Sequence, residues 1–149
     1  MAETPFIYEQ KTLETLAPIT TAPIRHHVFV CRGTSCSAVG SAEVIAAFEH
    51  ELRSRGIMFG KEKKGKNPRG SVVLTECSSV GLCAIGAAVM VYPDGIWYGQ
   101  VCSGDVAEIV EEHLVNGRVV ERLALLKVPT VGKQPARPAD SNAAEDWEA

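Results

Sequence analysis

Two apolar, β-branched runs, His27-Val28-Phe29-Val30 and Val72-Val73-Leu74-Thr75, each lead into a pair of cysteines. The first pair closes Cys31-Arg32-Gly33-Thr34-Ser35-Cys36, and the second lies in Glu76-Cys77-Ser78-Ser79-Val80-Gly81-Leu82-Cys83. Runs of this kind read as strands. Each cysteine loop therefore leaves a strand at its carboxyl end. Where two such strands are parallel neighbours, those ends lie together, and open α/β sheets place their sites there. Cys31, Cys36, Cys77 and Cys83 would then face one point.

Four soft thiolates from two short loops are what a [2Fe–2S] cluster requires. Small residues suit such loops, because backbone amides must approach the sulfur atoms. Gly33, Thr34, Ser35 and Ser37 supply them in one loop, and Ser78, Ser79 and Gly81 in the other, with Gly86 just beyond. The same donors can hold structural zinc, although the spacings within each pair are looser than the usual zinc pair. Buried or redox-active thiols are a third use of the same residues. A dithiol oxidoreductase is disfavoured, since no Cys-x-x-Cys occurs. A Rieske centre needs two histidine ligands. His50 and His113 fall on helices and are expected to be exposed, and His26-His27 stand at the start of the first strand, at the end remote from the cysteines. Cys102 is expected to be a small buried or half-buried residue.

The chain has 149 residues and a net charge of −3. That length suits one domain with extensions, and the charge argues against a general nucleic-acid binder. No apolar stretch reaches the length of a membrane span. The start, Met1-Ala2-Glu3-Thr4-Pro5, lacks the features of a secretion signal. A cytoplasmic location is expected, where thiols serve metals more often than disulfides.

The organisation reads as a leader over residues 1–25, a domain over residues 26–126 and a flexible tail over residues 127–149. Within the leader Tyr8 to Leu16 form a short helix, broken by Pro18 and Pro23. In the domain, residues 26–30 are a strand. Ser41 caps a helix carrying Val44, Ile45, Phe48 and Leu52 at helical spacing, and Gly56 ends it. Ser71–Thr75, Ala87–Tyr92 and Ile96–Val101 are strands, the last two joined by the turn Pro93-Asp94-Gly95. Asp105–Val115 is a helix with the apolar stripe Val106, Ile109, Val110 and Leu114, ended by Asn116-Gly117. Val119 to Leu126 is apolar and of undecided type. The order β-α-β-β-β-α predicts an α/β, thioredoxin-like mixed sheet with flanking helices.

Gly81-Leu82-Cys83-Ala84-Ile85-Gly86, followed by Val89-Met90-Val91-Tyr92-Pro93-Asp94-Gly95-Ile96-Trp97-Tyr98, resembles the thioredoxin-like [2Fe–2S] ferredoxins. So does Asp105-Val106-Ala107-Glu108-Ile109-Val110-Glu111-Glu112-His113-Leu114 with Asn116-Gly117. The first pair is similar to that of the related small iron–sulfur subunit of respiratory complex I. The resemblance implies a thioredoxin-like fold without the thioredoxin active site, a near-surface one-electron cluster and a homodimer. Position by position it carries Cys31, Cys36 and Cys83 over as ligands. The family pattern would put the fourth at Ser79, whereas a cysteine stands two positions earlier. The expectation is that this loop carries two extra residues and that Cys77 still reaches iron, thiolate being the softer donor.

On this reading the chain is a one-electron carrier between larger redox enzymes, with redox proteins as partners and no substrate chemistry of its own. An iron–sulfur subunit of a multi-subunit dehydrogenase or hydrogenase, and a zinc or thiol binding module, stand as alternatives. Residues 61–70 hold five positive charges and one negative. They read as a loop, either a plain solvated turn or a steering patch for an acidic partner. Trp97 and Tyr98 should point to opposite sheet faces, and Trp147 sits alone in an acidic tail.

Overall fold

The computed structural model describes residues 6, 8–60, 67–81 and 83–128, with Cys83 described by its backbone. Of the proposed tail over residues 127–149, Lys127 ends a strand, and the part from residue 129 on, with Trp147, lies outside the described residues, as does the lysine-rich part of the basic loop, residues 61–66.

Five strands form one mixed sheet in the order β2-β1-β3-β4-β5. They are β1 (His26–Cys31), β2 (Val72–Cys77), β3 (Val89–Tyr92), β4 (Ile96–Tyr98) and β5 (Ala124–Lys127). β1 and β2 are parallel, and the remaining pairings are antiparallel. This is the expected thioredoxin-like mixed sheet with helices packed against it. The undecided apolar segment supplies β5 at one edge, where Leu125 and Leu126 remain half exposed.

Helices enter where the period changes. α1 (Gln10–Leu16) lies in the leader, followed by a 3-10 turn at Pro18–Thr21. A short α2 (Thr34–Ala38) occupies what the sequence suggested was a loop, so Cys36 stands on a helix. α3 (Ser41–Ser54) buries Val44, Phe48 and Leu52, spaced one turn apart, against the sheet. Ser41 is not its cap. Gly40 holds that position at φ +96, in the left-handed region that glycine enters most readily, and Ser41 is the first helical residue. Gly56 follows the C-cap at φ +68, as its position suggested.

The helix expected over 105–115 is a 3-10 turn (Ser103–Asp105), then α4 (Val106–Glu108), then a π segment (Ile109–Val115). The wider turn shows in the Asn116 N–H donating to the Glu111 carbonyl, five residues back. This helical run packs Val106, Ile109, Val110 and Leu114 into the core beside α3. Arg55 ties the two helices through an ion pair with Glu111. Among the described residues no helix is long and apolar enough to cross a membrane.

Candidate metal centre

The sheet register decides which sulfur atoms meet. In the parallel β1–β2 ladder Cys31 pairs directly with Cys77, the last residue of each strand. Register partners project to the same face, with strands roughly 4.8 Å apart. The Arg32 N–H donates to the Cys77 carbonyl at 2.6 Å, so the ladder stays closed past both cysteines. Strand β2 runs two residues beyond its expected end, and that extension is what brings Cys77 level with Cys31.

Cys36 reaches the same place from α2. Cys31, Cys36 and Ala88 form a buried cluster with Val80 packed against it. Cys31 and Cys36 have no exposed surface, and Cys77 is half-buried. Gly86 passes so close that an added Cβ would stand 2.7 Å from the Cys36 Sγ. A side chain there would displace the thiol, so glycine is required by the approach rather than by a turn. The Gly33 N–H donates to the Cys31 Sγ at 3.4 Å. The thiol groups of Cys31 and Cys77 lie 3.7 Å from the carbonyls of Ser78 and Val30 respectively, crossing between the strands.

The second loop is held from outside. The Trp97 indole N–H donates to the Val80 carbonyl at 2.6 Å, a positioning role the sequence did not suggest. The Gln100 N–H donates to Ile85 and the Val101 N–H to Ala87, so the chain after β4 fastens the 3-10 turn Cys83–Ile85 and the residues just beyond it. That turn packs against α2. The Cys83 side chain lies outside the described residues. Ser79, where the family pattern would set a ligand, is exposed, and its Oγ accepts the Gly81 N–H at 3.1 Å. Cys102 is exposed rather than buried. It precedes the 3-10 turn at Ser103, and its N–H holds the Asp105 carboxyl below the usual carboxylate range.

The histidines behave differently from expectation at one position. His50 is exposed, but His113 is buried, 1% accessible. Its spacing from Val106 and Ile109 puts it on the apolar stripe, a signal in the sequence that its polarity masked. His26 lies at the far end of β1 from the cysteines, as expected.

The donor set, the in-register pair and the glycine-lined approach fit a thiolate-ligated iron–sulfur cluster. Residues 19–114 match the family model of the thioredoxin-like [2Fe–2S] ferredoxins. A 2Fe–2S ferredoxin of Clostridium pasteurianum is 38% identical over 111 residues, covering 68% of this chain and 96% of the relative. One from Aquifex aeolicus strain VF5 is 40% identical over 118 residues, covering 73% of this chain and 93% of the relative. A solved thioredoxin-like [2Fe–2S] ferredoxin from Aquifex aeolicus superposes with a TM-score of 0.59 at 36% identity, covering 73% of this chain and 97% of that one.

Proposed function

The chain belongs to the thioredoxin-like [2Fe–2S] ferredoxin family, iron–sulfur electron carriers, and on that premise we propose that Cys31, Cys36, Cys77 and Cys83 ligate its cluster and that it passes single electrons between larger redox enzymes. The observation that carries the ligand set is the direct pairing of Cys31 with Cys77 at the carboxyl end of the parallel strands. With Cys36 against Cys31, three of the four thiol residues stand together. Cys77 takes the fourth place in preference to Ser79, whose oxygen is engaged in its own turn.

When bound, the cluster supplies a one-electron couple. The chain's part is to hold and tune it. Burial of Cys31 and Cys36 keeps water from one side, and the half-buried Cys77 leaves the other close to the surface. The Gly33 N–H on the Cys31 sulfur favours the more negative, reduced state and so raises the potential. Trp97 and Gly86 keep the second loop and α2 in place. Residues 26–126 form the cluster domain of this reading, which is cytoplasmic and homodimeric and has redox proteins as partners.

Anaerobic isolation should yield coloured protein with about two irons and two sulfides per chain and an EPR signal on reduction. Cys77→Ser should lose that signal or alter it, whereas Ser79→Ala should leave it unchanged. An unaltered spectrum in Cys77→Ser would remove Cys77 from the ligand set. Colourless protein with one zinc would reject electron transfer altogether. Reduced protein that a ferredoxin-linked oxidoreductase cannot reoxidise would count against the carrier role.

A further inference from the structure

A second donor set stands at the opposite end of β1, five residues and about 17 Å of extended strand from Cys31. His26 begins β1, Asp94 lies in the turn between β3 and β4, and His113 comes from the π segment. One ligand atom from each lies within 4.8 Å of the others. The His113 Nε2 is 2.6 Å from the Asp94 Oδ2, and the His26 Nδ1 is 3.2 Å from that same oxygen. The second approach is an ion-pair contact rather than an aligned hydrogen bond, so the buried His26 Nδ1 has no hydrogen-bond partner among the described residues.

We propose that His26, Asp94 and His113 bind one divalent transition-metal ion of the zinc class, separate from the cysteine centre. Two imidazoles and a carboxylate are a borderline-soft set that suits zinc over magnesium or calcium. A tetrahedral zinc with bonds near 2.1 Å sets its ligand atoms roughly 3.4 Å apart. The His26–Asp94 distance already meets that, and the His113–Asp94 distance must open by less than about 1 Å. Asp94 has room to give, being 36% exposed on a turn. The fourth position opens on a cavity of about 510 Å³ bounded by Arg25, Ile96, Gly117 and Val119. Arg25 is exposed at its rim, where water screens its opposing charge.

Support behind the ligands is in place. The Tyr98 hydroxyl is 2.7 Å from the His113 Nδ1 and accepts the Val120 N–H at 3.1 Å. The Asp94 carboxylate accepts from the His113 Nε2–H, and the Tyr98 hydroxyl stands at Nδ1. With metal on Nε2, Nδ1 would carry the imidazole proton and the Tyr98 oxygen would accept it. Such a partner on the far ring nitrogen fixes the tautomer and the ring's aim. Burial pushes the His26 imidazole toward its neutral, ligating form. A bound ion would clip the start of β1, the hairpin turn and the last helix together.

The test adds zinc to the oxidised, cluster-loaded full chain, removes excess by gel filtration and counts zinc and iron in the same sample. One zinc per cluster with iron retained is expected, together with a zinc-dependent rise in the thermal midpoint. His26→Ala and Asp94→Asn should each weaken zinc affinity by about tenfold or more while the visible cluster spectrum persists. That spectrum shows that the variants fold, and the iron count reports separately on the cysteine site. No zinc uptake, uptake equal in both variants and the parent, or uptake only as iron leaves would overturn the proposal.

Discussion

At its carboxyl end β1 delivers Cys31 to a group of sulfur atoms; at its amino end it delivers His26 to a group of imidazoles and a carboxylate. The sulfur end is assembled from short pieces: the last residues of two strands, the five-residue α2 and a 3-10 turn. Its contacts to sulfur span 3.4–3.7 Å, as suits that larger atom, and much of its shape is held from outside by Trp97 and the segment after β4. The imidazole end is knit through core residues by bonds of 2.6–3.1 Å, running from the Val120 N–H through Tyr98 and His113 to Asp94. Burial pushes the Tyr98 hydroxyl up to about 12, so it stays protonated throughout the working range. A group of thiols gains its order when iron binds, whereas the hydrogen-bonded chain is complete within the protein. The two ends should therefore respond to substitution in different ways.

The largest effect is expected at Cys31. Cys31→Ser should abolish the native cluster, read as loss of iron and of visible absorption, because no other described thiol pairs with Cys77 across the ladder. Gly86→Ala comes next. Its methyl group would press on the Cys36 sulfur and force α2 outward, at a cost of about 1–3 kcal/mol and with a shortened cluster lifetime in air. Unchanged lifetime would mean that α2 moves freely and that the site is looser than its packing indicates.

Tyr98→Phe probes the other end. It leaves a buried imidazole nitrogen and the Val120 N–H without their shared partner, which should cost about 2 kcal/mol. A lowered denaturation midpoint with an intact cluster spectrum is the expected pair of readings. A changed EPR spectrum would show that the two ends of β1 are coupled. Trp97→Phe should have the smallest effect, about 1 kcal/mol from one lost hydrogen bond, together with faster loss of iron on mild heating. Equal loss of iron in Tyr98→Phe would erase the distinction between the ends.

Much of the cysteine site could be read along the chain, because it rests on local features. Strand runs ending in cysteine, small residues after them and the turn at Pro93-Asp94-Gly95 declare themselves within a few residues. The imidazole group escaped for the opposite reason. His26, Asp94 and His113 are separated by long stretches of chain, and the polarity of His113 points to a solvated face although its spacing matches the buried one. Ser41 misleads in the same way. Its residue type favours a cap, but the left-handed backbone at Gly40 takes that place.

The order of the first four strands and the apolar stripe of α3 were set by residue type and spacing alone, since helix and strand periods act over one or two turns. Three further outcomes waited on the folded chain: that Cys77 stands level with Cys31, that Trp97 braces the second loop, and that two histidines meet one aspartate at the far end of the strand. Each depends on strand register and helix packing, which join residues distant in sequence through the burial of a common core.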